Sequence, residues 1–175
     1  MLNFSKSGGG RPFVRLDGRN GLFYLSSPEG TDPELFVMKD QILVVDIKRA
    51  TQGWLKLQGG CDWAPLEDPT DWGRQPSPDH AQAVAVDFFC AAWPEPQIRQ
   101  FRGSSKAVTG FVARLNEAAA DAPDTTAIAV KIGGTRITKI GQGTSAEVAF
   151  DVAPLGKWPD RSIFDEVDDD ENVPF

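Results

Sequence analysis

A single stretch of this 175-residue chain has helical spacing, and short β-type runs lie on both sides of it. After Gly103-Ser104-Ser105, the apolar positions Val108, Phe111, Val112, Leu115 and Ala119 recur at helical intervals, and Ala122-Pro123 ends the run. Ser104 or Ser105 is a suitable N-cap, because its hydroxyl can accept from a free N–H of the first turn. Before the helix, Phe13 to Leu16, Leu22 to Ser26, Glu34 to Lys39, Gln41 to Lys48 and Trp54 to Leu57 read as strands. Turn signals separate them at Asp17-Gly18, Asn20-Gly21, Pro28-Glu29-Gly30, Lys39-Asp40 and Gln52-Gly53. An irregular loop rich in Asp, Pro and Trp runs from Gly59 to about His80. Gln82 to Ala92 is a further strand, stopped by Trp93-Pro94-Glu95-Pro96. After the helix the pattern predicts a meander: Thr126 to Ile132, a Gly133-Gly134 turn, Thr135 to Ile140, a Gly141-Gln142-Gly143 turn, and Ser145 to Val152.

This order constrains the architecture to a mainly β fold with one helix. An OB-like small β-barrel, five-stranded with a helix between its third and fourth strands, fits it. An α+β sandwich fits equally well. The length allows one domain plus a tail. Residues 1–12 form an expected flexible arm, in which Ser7-Gly8-Gly9-Gly10 is flanked by Lys6 and Arg11. Residues 13–159 form the expected body. From 160 to 175 the chain turns acidic and is expected to leave the fold as a disordered tail.

Charge separates those regions. The formal net charge is −7, from 25 acids and 18 bases. Six of the carboxylates lie from Asp165 onward, which leaves 19 acids against the same 18 bases in the body. A near-neutral body with an acidic tail suits a nucleic-acid binder, and it also suits many proteins whose tail only aids solubility. The tail does not end in acid, however. Asp168-Asp169-Asp170-Glu171 gives way to Asn172-Val173-Pro174-Phe175. A core cannot accommodate so many unpaired carboxylates, whereas a solubilising tail has no use for an aromatic tip.

This tip resembles the C-terminal tip of bacterial single-stranded DNA-binding proteins, an aspartate run ending in Pro-Phe. The resemblance covers the tip alone. It departs from the family at Glu171-Asn172-Val173, where little more than one aliphatic residue is usual, and it lacks the long Gly/Gln/Pro-rich linker. The divergent body and short linker look more like a bacteriophage version than a cellular one. The resemblance implies that Asp168, Asp169, Asp170, Val173, Pro174 and Phe175 dock on replication or recombination proteins. Phe175 would fill an apolar pocket, and the aspartates would meet a basic rim. A tether from Asp160 would span on the order of 20–25 Å.

Few residues suit catalysis. His80 is the only histidine, and Cys61, His80 and Cys90 lack zinc-type spacing. Gly8-Gly9-Gly10 is not followed by the Lys-Ser/Thr step of a phosphate loop. The Asp168–Glu171 run lacks the spacing of a dedicated cation site. The expectation is therefore a non-enzyme without metal or cofactor. Two cysteines, a polar Met1–Arg15 start and the lack of a long apolar run point to a cytoplasmic protein without a membrane span.

Single-strand binding needs cations for phosphate and aromatic faces for bases. Trp54 and Lys56 share one strand face, with Lys48 and Arg49 just before them. Trp72 and Arg74 repeat the spacing in the irregular loop. Arg99, Phe101 and Arg102 form a cluster before the helix, and Lys131, Arg136 and Lys139 surround the expected Gly133-Gly134 turn. Each has a plainer reading: Trp54 as a core cap, the three hairpin cations as a solvated face. Trp63 and Trp93 read as structural, and Phe88, Phe89, Phe111, Phe150 and Cys90 as core. The sum predicts a sequence-tolerant coat for single-stranded DNA in replication, recombination or repair, compatible with a homo-oligomer. The alternative is a non-enzymatic inhibitor whose acidic tail imitates DNA or a recruitment tip.

Overall fold

Alternating burial along the short runs assembles them into one ten-stranded sheet. The computed structural model describes residues 12–26, 32–56, 63–153 and 158–165. The strands are β1 (Phe13–Leu16), β2 (Phe23–Leu25), β3 (Glu34–Phe36), β4 (Ile42–Val45), β5 (Thr51–Lys56), β6 (Trp63–Pro65), β7 (His80–Phe89), β8 (Ile98–Gly103), β9 (Ile128–Ile140) and β10 (Gly143–Val152). Their order is β10-β9-β4-β7-β8-β1-β2-β3, with β5 paired to β7 and β6 to β5. Among the described residues, only β1 and β8 pair in parallel. The sheet curls strongly into a half-barrel, so the fold is mainly β and consistent with the OB-like small barrel.

Helix α1 (Lys106–Ala118) fills the concave side. Ser105 caps it, its Oγ accepting from the Val108 N–H at 3.3 Å. The helical stripe buries Val108, Phe111, Val112 and Leu115 against inward residues of the sheet, including Val14, Phe23, Val45, Phe88, Phe101 and Val130. Phe111 is the hub, with ring contacts to Phe23, Phe88, Phe101 and Phe150. The convex side carries a smaller apolar cluster of Val44, Ala127, Ala129, Ala153 and Phe164.

Several expectations are corrected. Gly133-Gly134 is not a turn: β9 runs through it, and the register to β10 slips between Val148 and Phe150. The glycines form a β-bulge, and a Cβ on Gly133 would stand 3.3 Å from the Ala149 carbonyl oxygen. Gln52-Gly53 lies inside β5, where Gly53 lets β6 approach; a Cβ there would come within 2.5 Å of the Ala64 carbonyl oxygen. Strands β6 and β8 were not foreseen, and His80 opens a strand rather than sitting in the loop.

Residues 160–165, placed in the tail by their acidity, lie on the body. A 3-10 turn over Arg161–Phe164 buries Phe164 to 1% exposure. Backbone bonds from Ala127 N–H to the Pro159 carbonyl and from Arg161 N–H to the Thr125 carbonyl tie this strap down. Nearly all of the arm, Cys61, and the whole tip from Asp168 to Phe175 lie outside the described residues. Among the described residues, no helix is long and apolar enough to cross a membrane.

Candidate functional site

The two-residue period of β5 and β7 sets the floor of an open groove. Register pairs Gln52 with Val84, Trp54 with Gln82 and Lys56 with His80, so these residues share the concave face. Between this floor and helix α1 lies an open groove of about 1200 Å³. Trp72 forms one wall, and Thr109, Val112, Ala113 and Asn116 of α1 form the other. Lys48, from the 3-10 turn Ile47–Arg49, reaches the rim.

Local hydrogen bonds fix the Trp72 wall. The Trp54 Nε1–H donates to the Trp72 carbonyl at 3.0 Å, and the two rings meet edge to face at 5.3 Å. Asp68 and Asp71 accept from the N–H groups of Thr70 and Gly73, as short polar side chains do in tight turns. Gly73 has φ +59°, and Gln75 donates to the His80 carbonyl at 2.7 Å. The two half-buried tryptophans are thus held in place before any ligand arrives.

The other expected site residues are dispersed. Lys48 Nζ lies 3.9 Å from the exposed Asp124 carboxylate. Lys56 lies on the same sheet face as Trp54 but does not line the groove, and Arg74 is exposed just before Gln75, which does. Arg49 is engaged elsewhere: its Nε donates to Asp46 at 2.5 Å and its Nη1 to Asp165 at 2.6 Å. The Asp165 bond leads the causes that raise the Arg49 pKa. Burial pushes the Asp46 carboxyl up, against the pull of Arg49 and Arg161.

The Arg99-Phe101-Arg102 cluster is split by the pleat. Arg99 and Phe101 face the core at 1% and 0% exposure, which corrects their expected role in binding. Phe101 stacks on Phe88 with centroids 4.6 Å apart. Arg99 donates to the Ser26 carbonyl at 2.6 Å and to the Pro94 carbonyl at 3.4 Å, and burial lowers its pKa. Arg102 alone faces outward, on the convex side. Arg136 and Lys139 are three residues apart on β9 and so face opposite ways, opposite Glu147 and Thr144 respectively. Lys131 pairs with Asp40 at 3.9 Å. These three cations do not line one surface.

Gln52, Gln82 and Asn116 were missed. The period-two rule that joined Trp54 to Lys56 also reaches Gln52, but uncharged amides carry no obvious sequence signal. Trp93 is structural, 2% exposed and donating to Met38 Sδ. Among the described residues, no cluster of three or more His, Cys, Asp or Glu suits a metal ion. Comparison with known proteins finds no matching family model, curated protein or solved structure.

Proposed function

We propose that this chain binds single-stranded DNA in the groove between β5, β7 and helix α1, without covalent chemistry. The observation that carries the reading is Trp54, braced by Trp72 on an open groove floor beside Lys56, with Lys48 on the rim. Indole faces accept any base, so affinity arises from stacking with little sequence preference. The lysines neutralise phosphate and release counterions. Such a protein would coat and protect transient single strands during replication, recombination or repair in a bacterial or phage-infected cytoplasm. The acidic tip, through Phe175, would recruit partner enzymes.

Titration of labelled oligo-dT at several salt concentrations, followed by Trp emission, tests this. Binding should quench emission and weaken with salt, with a log–log slope near −0.7 per phosphate contacted. Trp54→Ala should weaken binding by about 5- to 150-fold, the loss of one stacked base at ~1–3 kcal/mol. No binding at low salt, or full affinity in Trp54→Ala, would defeat the reading.

A further inference from the structure

Strand β4 runs antiparallel to β9 with Ile42 opposite Lys131, and the Ile132 N–H extends the ladder by donating to the Gln41 carbonyl at 2.9 Å. There the chain turns away. Asp40 has φ +67°, and the Gln41 N–H closes a tight turn on the Met38 carbonyl at 2.9 Å. Strand β3, just before this turn, is carried off to pair with β2, with Phe36 opposite Phe23. Among the described residues, β9 beyond Ile132 therefore pairs with β10 alone, and β3 with β2 alone. The two open edges are separated by a cleft of about 140 Å³, lined by residues 35–39 on one side and 132–135 on the other.

Both edges carry apolar side chains in water. Val37 is 72% exposed beside Leu22 and Leu35, and Ile137 is 55% exposed on the hairpin that leads away from the cleft. An unpaired edge rich in β-branched residues is a template for another strand. The cations of β9, Arg136 and Lys139, disfavour the pairing of two β9 edges with each other. They suit β3 instead, because Asp32 and Glu34 lie there, both exposed. Counting back from Ile42 and forward from Lys131, the β4 register would set Phe36 opposite Ile137 and Glu34 opposite Lys139. The turn at Asp40 keeps the chain's own β3 from that position, and the same strand of a second copy can take it.

We propose that two copies of this chain associate here, the β3 edge of each pairing with the β9 edge of the other about a two-fold axis. Because both edges line one cleft, a single axis can form both ladders and close the pair. Leu35, Val37 and Ile137 are withdrawn from water, and Glu34 of each copy meets Lys139 of the other. The association stands apart from the groove and holds whether or not the groove takes nucleic acid.

Sedimentation velocity of the full-length chain without nucleic acid, from low to high micromolar concentration, tests this, and a monomer–dimer equilibrium is expected. Glu34, Ile137 and Lys139 are exposed, so their variants keep the fold, with circular dichroism as the control. Ile137→Lys should raise the dimer Kd at least about tenfold, because the change acts at both ladders. Glu34→Lys and Lys139→Glu should each do the same by setting like charges opposite one another. The two together should restore the wild-type Kd to within about threefold. A chain that stays monomeric throughout, an open-ended assembly, an Ile137→Lys dimer as tight as wild type, or no recovery in the double variant would each overturn the pairing.

Discussion

Replacing Phe111 by alanine should be among the most damaging single truncations in this protein. Phe111 is fully buried, and its ring meets Phe23 at 6.2 Å, Phe88 at 6.4 Å, Phe101 at 6.0 Å and Phe150 at 5.8 Å. Those partners come from β2, β7, β8 and β10, so the wall of the resulting cavity is fixed by sheet hydrogen bonds and cannot collapse inward. Truncation of a buried Phe costs ~3–5 kcal/mol, and loss of edge-to-face contacts favours the upper end. In a chain of this length that lowers Tm by about 6–20 °C. Phe150→Ala should cost less, because that ring is half-buried and has Phe111 as its aromatic partner. Phe111→Leu, which keeps more of the volume but also loses the ring contacts, should cost less than Phe111→Ala. Urea unfolding followed by Trp emission measures all three through Cm at constant m. A loss below about 2 kcal/mol for Phe111→Ala, or a ranking with Phe150→Ala above it, would refute the hub.

Gly21→Ala should destabilise through two independent terms: φ is +73°, and the new Cβ would stand 2.3 Å from Thr135 Cγ2. The left-handed backbone alone costs ~1–2 kcal/mol, so adding Thr135→Ala should recover part of the loss in a thermal melt but not all of it. Phe164→Ala should release the strap locally. In hydrogen exchange, the Ala127 and Arg161 amides should lose protection while the β7–β8 ladder keeps its own. Asp46→Asn should show a pH signature. Burial holds the folded Asp46 carboxyl above its ordinary 3.8, so the stability linked to its proton is complete below that pH and declines as pH rises through the folded value. The asparagine variant should therefore gain on the wild type as pH rises from about 4, and a gap that is constant with pH would contradict this.

How much was legible in the sequence depended on whether a local period decided the outcome. The helical stripe from Val108 to Leu115 was clear because no competing period runs through it, and Ser105 marked its start. Trp54 and Lys56 were correctly placed on one face by the period of two. The same rule applied to Arg99, Phe101 and Arg102 would have separated 102 from the other two. It was overridden by the usual exposure of arginine, and only the Ser26 and Pro94 carbonyls, distant or across a loop, make Arg99 tolerable inside. Gly133-Gly134 reads as a turn by composition, yet a bulge needs small residues for the same steric reason. The strap was hidden by its acids: Ile163-Phe164 is the apolar signal, flanked by charges that Arg49 and Asp46 partly absorb.

That absorption bears on how the protein would hold phosphate. Arg49, expected to be a phosphate contact, is committed to Asp46 and Asp165, and a strand would have to displace a carboxylate at 2.6 Å to reach it. Lys48 on the groove rim and Lys56, on the same sheet face as Trp54, then remain as the cations of this reading, and a strand held by these two alone should show a salt slope of about −1.4. A value near that figure confines the strand to contacts with these two lysines. A much steeper slope would mean that Arg49 had exchanged Asp165 for phosphate, freeing the strap, and hydrogen exchange at Arg161 during titration would show it.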